Sequence, residues 1–250
     1  ILLAQSSGII ISTKSFRKKI VALIIPKNKV PFLIVPEMEF QRAKKSMISK
    51  VYSMEKKRFF ESIYNTLKKN KLRIKRASID KNNFTLSSYK HFKKQFKKIK
   101  IKDIALECLK LREIKTEKEI KILNKSCNYA DKILQKAIKN FKDFKAESEA
   151  AAFLEYEAKN LGLGVSFNPI VASGSNGSIP HHESSNKKMK KGFCVIDFGV
   201  KYKGYCSDIT RTIYLGKPSK EEKKIYEFIL SIQKNAINQV KENKKCSELY

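Results

Sequence analysis

The chain has 250 residues, 42% hydrophobic and 31% charged, with a formal net charge of +30. That is length enough for one large domain or two small ones around a real core, and it excludes a disordered chain. The apolar runs are too short for a membrane span, and five scattered cysteines with no C-x-x-C pair exclude a disulfide framework or zinc ribbon and fit a reducing cytoplasm.

Read from the start, Ile9–Ile11, Ile20–Ile25 and Phe32–Val35 are apolar runs of strand length, the last two joined by the turn Pro26-Lys27-Asn28-Lys29. A helix is expected after Glu37, a short strand at Val51–Met54 and a helix at Phe59–Lys69. A strand at Ala77–Ile79 ends at Asp80, a helix runs from Ser87 to Lys97, and Ile99–Ile104 reads as a further strand. Strands alternating with helices predict an α/β domain around a mostly parallel or mixed sheet with flanking helices.

This first part is strongly basic. Residues 1–112 hold 29 Lys or Arg against 7 Asp or Glu, leaving +22. The densest run, Lys90 to Lys100, places Phe92, Phe96 and Ile99 at helical spacing with Lys93, Lys94, Lys97 and Lys98 on the remaining surface. Such aromatics face a core, so the run reads as a solvated lysine face rather than a nucleic-acid site, and arginine, the better phosphate fork, is scarce. His91 reads as a lone surface histidine.

A boundary falls near Arg112–Thr116, dividing the chain into domains at 1–112 and 113–250. Thr116-Glu117-Lys118-Glu119 has the form of a capping box. Behind it Ile120, Leu123, Cys127, Ala130, Leu134, Ala137, Ile138 and Phe141 keep a helical period. A second helix is expected from Glu147 to Leu161, stopping at Gly162. A loop rich in glycine follows, then a short strand, a tight turn and a longer strand. Ser219-Lys220-Glu221-Glu222 is a second capping box, opening a helix with Ile225, Phe228, Ile229, Ile232, Ala236 and Val240 on one side. The chain begins at Ile1 and ends at Tyr250 in a polar stretch, which reads as a fragment open at both ends.

Cys194–Gly199 and Tyr205–Thr212 flank Val200–Gly204, and the Lys203-Gly204 step suits a hairpin turn. Asp197 and Asp208 are equally far from a midpoint between Tyr202 and Lys203. They are therefore expected directly opposite each other on one face, with Cβ atoms about 5 Å apart. Two carboxylates so close, among Val195, Ile196 and Phe198, would repel each other and lose hydration. A raised pKa or a bound cation relieves that, and two divalent ions ~3.5–4 Å apart suit the spacing. The bare spacing is equally that of a surface hairpin with two solvated aspartates. A His-His-Glu loop at His181 and His182 reads, by itself, as surface. No H-E-x-x-H, G-x-S-x-G or phosphate-loop pattern is present. Ser173–Ser178 does not lead into a helix and is no phosphate cradle.

Taken in order, Phe167-Asn168-Pro169-Ile170-Val171-Ala172-Ser173-Gly174, Ile179-Pro180-His181-His182, Lys190-Lys191-Gly192, Val195-Ile196-Asp197-Phe198-Gly199 and Tyr205-Cys206-Ser207-Asp208-Ile209-Thr210-Arg211-Thr212 resemble the creatinase/prolidase/methionine aminopeptidase family. Asp-Ile-Thr-Arg-Thr and the Pro-His step are most similar to its Xaa-Pro dipeptidase and aminopeptidase P branch. Residues 107–141 resemble that branch's entry helix, and residues 1–112 its creatinase-type N-terminal domain.

The resemblance implies an α/β creatinase-like domain followed by an incomplete α+β pita-bread catalytic domain. It implies hydrolysis of Xaa-Pro bonds by a hydroxide bridging two divalent ions of the Mn, Co or Zn kind. Asp197 and Asp208 match the first two of five metal ligands, and the remaining histidine and two glutamates lie further on in the family than this chain extends. His181 matches a histidine that contacts substrate and stabilises the tetrahedral intermediate without ligating metal. Phe167 matches an aromatic or apolar wall of the substrate pocket. The Thr210 hydroxyl could support the ligands, whereas Cys194 and Cys206 read as packing residues. The implied partner is a peptide with proline in second position, with no membrane and no nucleic acid, and homodimers are common among relatives. The fragment itself is expected to be inactive, with an exposed apolar face. The competing reading is a non-catalytic pita-bread binding module that uses the basic N-terminal half to hold nucleic acid or an acidic partner.

Overall fold

The computed structural model describes residues 9–16, 19–26, 29–54 and 58–249, so the expected turn at Pro26–Lys29 falls partly outside the described residues. The chain forms two compact units, Ile1–Ile114 and Lys115–Tyr250.

The first unit runs β1 (Ile9–Phe16), β2 (Lys19–Pro26), β3 (Phe32–Val35), α1 (Phe40–Lys44), β4 (Lys50–Ser53), α2 (Phe59–Lys69), β5 (Arg76–Ile79), α3 (Leu86–Gln95), β6 (Lys100–Asp103) and α4 (Ala105–Glu113). The strands make one mixed sheet in the order β4-β3-β2-β1-β5-β6. The β1–β2 and β2–β3 pairs are antiparallel, and the remaining three are parallel. Alternation along the strands sends Ala22, Ile24, Phe32, Ile34 and Ala77 into one core with Phe60, Ile63 and Leu67 of α2. Phe92 and Phe96 join them, their rings 4.8 Å apart, while Lys94, Lys97 and Lys98 stay exposed. His91 is exposed as well, its Nδ1 2.8 Å from the Ser87 carbonyl.

The second unit runs α5 (Glu117–Lys139), α6 (Glu147–Asn160), β7 (Gly164–Val165), β8 (Ile170–Ser173), β9 (Gly192–Phe198), β10 (Val200–Tyr202), β11 (Tyr205–Cys206), β12 (Ile209–Leu215) and α7 (Lys220–Asn238). It has two three-stranded sheets, β12-β9-β8 and β11-β10-β7. Both expected capping boxes form, at Thr116 and at Ser219. In the first, Glu119 also accepts from the Tyr205 hydroxyl at 2.6 Å. That bond, with those from the Thr116 amide and hydroxyl, brings the Glu119 carboxyl down to about 2.

The buried stripe of α5 is Ser126, Ala130, Ile133, Leu134 and Ala137. This corrects the expected stripe, since Ile120 and Cys127 are exposed. A serine takes the buried position because its hydroxyl donates to the Val200 carbonyl at 2.9 Å, where β9 passes into β10. α7 has its expected apolar side and buries none of it: Ile225, Phe228, Ile229 and Ile232 are each more than half exposed, and Val240 lies beyond the end of the helix. The helix is tied down near its start, where Tyr214 donates to Glu222 at 2.7 Å and Tyr226 stacks on Phe193. Among the described residues, no helix is long and apolar enough to cross a membrane.

Candidate metal centre

The two candidate carboxylates sit on an antiparallel ribbon whose register is set at its tip. Lys203 and Gly204 both take positive φ, 48° and 89°, the conformation of a two-residue hairpin turn. From there Tyr202 pairs with Tyr205 and Lys201 with Cys206, and further out Asp197 pairs with Thr210. The centre of the bend therefore lies between Lys203 and Gly204, one residue later than the sequence midpoint between Tyr202 and Lys203. This corrects the expected pairing, because Thr210 is the residue opposite Asp197 and Asp208 is its diagonal neighbour. Residues two apart share a face of a strand, so the carboxylates still lie on one side.

Gly199, between β9 and β10, makes the close approach possible. A Cβ built there would lie 1.9 Å from the Ser207 carbonyl oxygen. Around it the Val200 amide donates to Ser207 Oγ at 3.0 Å and the Ser207 amide to the Val200 carbonyl at 2.9 Å. The ribbon is thus pinned beside Asp208 by backbone contact that no larger residue would allow.

The environments of the two acids differ. Asp197 is half-buried, between Ile196 and Phe198, both fully buried. Its Oδ1 is buried with no hydrogen-bond partner. Burial pushes its carboxyl above the usual aspartate range, Asp208 pushes the same way, and the Thr210 hydroxyl opposes both. Asp208 is exposed, because β12 begins only at Ile209 and leaves it at the strand mouth. The expectation of two crowded, dry acids therefore holds for Asp197 and is corrected for Asp208.

The other two candidates lie on loops leading to the same sheet. Phe167 is half-buried in the bend between β7 and β8, three residues before Ile170, which pairs with Asp197 on the opposite side from Thr210. His181 is exposed in the turn after Pro180, where the His182 amide donates to the Ile179 carbonyl at 3.2 Å. The ribbon brings Asp197 and Asp208 together. Among the described residues, neither His181 nor Phe167 makes a hydrogen bond or ring contact with them.

Sequence reasoning missed Glu147, the first residue of α6, which is 1% exposed. Its Oε1 accepts from the Ser173 amide (2.7 Å), the Ser173 hydroxyl (2.9 Å) and Asn176 Nδ2 (2.9 Å). Its Oε2 accepts from His182 Nε2 (2.8 Å) and from the Ser185 amide and hydroxyl, each at 3.2 Å. Burial raises its carboxyl, and these bonds more than reverse that, bringing it to about 2. A signal was present in the sequence: Glu147 shares one helical stripe with Ala150 and Leu154, both fully buried.

The donor set fits part of a cation site. A buried carboxylate oxygen without a partner, beside a second carboxylate open to solvent, suits a hard divalent ion. Among the described residues no group of three His, Cys, Asp or Glu that could hold a metal ion forms, so the candidate donors brought together there are two carboxylates.

Comparison with known proteins places these features. Residues 121–250 match the model of metallopeptidase family M24, and residues 12–114 that of the creatinase/prolidase N-terminal domain. The Xaa-Pro dipeptidase of Pyrococcus furiosus is 37% identical over 221 residues, covering 87% of this chain and 61% of that protein. The Xaa-Pro dipeptidase of Pyrococcus horikoshii is 37% identical over 219 residues, 87% of this chain and 60% of that protein. Among solved structures, the prolidase from Pyrococcus horikoshii OT3 superposes with a TM-score of 0.84 at 31% identity, over 97% of this chain and 70% of that one. The X-Pro aminopeptidase from Thermotoga maritima gives 0.80 at 29% identity, over 89% and 63%. The chain spans about three-fifths of the length of the curated relatives it matches. With a mixed-sheet creatinase-type unit followed by a pita-bread unit that carries the aspartate ribbon, this chain belongs to metallopeptidase family M24.

Proposed function

We propose that the whole protein is a metal-dependent Xaa-Pro peptidase, hydrolysing the bond between an N-terminal residue and proline, and that this chain carries part of its centre. The observation behind this reading is the partnerless, buried Oδ1 of Asp197 beside Asp208. The Xaa-Pro dipeptidases among the relatives support it. Asp197 and Asp208 would be metal ligands. Two divalent ions of the Mn, Co or Zn kind, when bound, would supply an activated water and a polarised carbonyl.

The chain's own residues have distinct parts. β9 is hydrogen-bonded on both sides, to β8 and β12, so Asp197 is presented from a rigid strand. The Thr210 hydroxyl favours the ionised form of Asp197, which is the form that can ligate. Asp208 is exposed at the strand mouth and would meet an ion arriving from solvent. His181 would donate a hydrogen bond to the oxygen on which negative charge grows during attack, and Phe167 would line the substrate pocket. Two carboxylates alone hold divalent ions poorly, so the 250-residue chain is expected to be inactive by itself. Its free cysteines suit a cytoplasmic setting. The binding-module reading has less support, because Phe92 and Phe96 are buried and leave the α3 lysines without a stacking platform.

The test is hydrolysis of Xaa-Pro dipeptides by protein of the relatives' full length, with and without chelator, beside the 250-residue chain. Chelator-sensitive turnover by the longer protein, abolished by Asp197→Asn and absent from the shorter chain, is expected. Turnover indifferent to chelator overturns the reading.

A further inference from the structure

Glu147 has no part in the chemistry proposed above, yet its carboxylate is buried and collects six donors. The placement of those donors is informative. Oε1 holds Ser173 and Asn176, at the leading side of the 174–185 loop. Oε2 holds His182 and Ser185, at its trailing side. Pro180-His181 lies between the two attachments. An ionised carboxylate only accepts, so His182 Nε2 carries the hydrogen, and that imidazole is committed to Glu147. His181, one residue away, is left exposed.

We infer that Glu147 is the positioning residue for His181: one buried carboxylate clamps both sides of the loop and so holds the substrate-facing histidine in place. The inference rests on the reading of His181 given under Proposed function. It does not follow from a general need for an acid at a helix start, because each oxygen takes a backbone N–H, from Ser173 and from Ser185. Backbone donors cannot turn round. A glutamine therefore has no satisfactory orientation, since either flip sets an NH2 group against a fixed N–H. The hydroxyls of Ser173 and Ser185 can rotate, so the clamp depends on the carboxylate itself. Further bonds hold the trailing end of the loop independently: the Ser148 amide donates to the Ser185 carbonyl, and the Val171 amide to Ser184 Oγ. Losing the clamp should therefore loosen the loop ahead of that end while the sheet beneath stays formed.

The experiment compares the chain with Glu147→Gln, and with Ser185→Ala as a milder variant that removes one hydroxyl donor in case the first does not fold. Peptide-level hydrogen exchange is followed for residues 174–185 and for β9 and β12, and the imidazole nitrogens of the three histidines by NMR. Glu147→Gln is expected to speed loop exchange at least tenfold with β9 and β12 within twofold. It should also shift the hydrogen-bonded Nε2–H signal of His182, whose acceptor changes from a carboxylate to an amide group, and shift the His181 imidazole, which touches none of the substituted atoms. Ser185→Ala should give a several-fold increase confined to the same loop. In the full-length enzyme, kcat on an Xaa-Pro dipeptide should fall at least tenfold while KM moves less than threefold. An unchanged loop and unchanged His181 signal overturn the inference, as does exchange that rises equally throughout the unit. A full-length enzyme without Xaa-Pro activity overturns the proposed function instead, and the exchange and NMR results then still decide whether Glu147 orders the loop.

Discussion

Thr210, not Asp208, stands directly across the ribbon from Asp197, and the two acids meet on the diagonal. Asp197 is thereby held half-buried against a like charge with one oxygen unpartnered. Neutralising it should stabilise the metal-free chain. Asp197→Asn in chelator at pH 7 is expected to raise Tm by about 2–4 °C. Because the folded-state pKa of Asp197 is raised, the wild-type penalty is present at neutral pH and disappears as the carboxyl protonates. The gain from the substitution should therefore shrink on acidification. Thermal melts at several pH values check this, and a lowered Tm at pH 7 contradicts it.

Gly199→Ala should be severe. Its Cβ would meet the Ser207 carbonyl oxygen, a backbone atom that no rotamer change moves. A loss of at least about 3 kcal/mol in urea unfolding of the second unit is expected. In protein of the relatives' full length the same variant should also lose the chelator-sensitive turnover proposed above, because the strand carrying Asp208 would be pushed away from Asp197.

Glu147 sets an acid limit on the second unit. Its folded-state pKa is depressed from 4.5 to about 2, so its contribution is complete above the unfolded value and drains away as pH falls from 4.5 towards 2. Wild-type stability should decline across that window. A folded Glu147→Gln variant should start lower at neutral pH and show a shallower decline. Urea midpoints measured between pH 7 and pH 2.5 decide the matter; parallel curves would rule out this linkage.

The cysteines should separate by reactivity. Cys127, Cys206 and Cys246 are exposed, whereas Cys194 is fully buried with its thiol pushed up to about 12 by that burial and by Glu147. Alkylation of the native chain followed by mass spectrometry should label the first three and spare Cys194. Rapid labelling of Cys194 would mean that the β8–β9 pairing opens readily.

What could be read in advance followed the strength of local signals. α2 forms over Phe59–Lys69 as its apolar period predicts, and both capping boxes close, because a hydroxyl and a glutamate three residues on decide that geometry without outside help. The shared face of Asp197 and Asp208 was legible, and their pairing was not. A midpoint misplaced by one residue moves the partner by two, which preserves the face and loses the opposite residue. Cys127 looked like a core position by period alone. Ser126 is buried instead because its hydroxyl finds an acceptor in the Val200 carbonyl, far away in sequence. Glu147 was overlooked for the same reason, since the four residues that supply its six donors lie 26 to 38 residues away.

The Lys203-Gly204 bend has the role of a ruler. Two residues with left-handed backbones leave no slack, so adding or deleting one there would slide one strand along the other. A slip of one position would turn Asp208 to the reverse side of the ribbon, with both aspartates still in the sequence. The gap between the acids is governed by a site that touches neither of them, and changes of length at this bend should be tolerated far less than changes of residue.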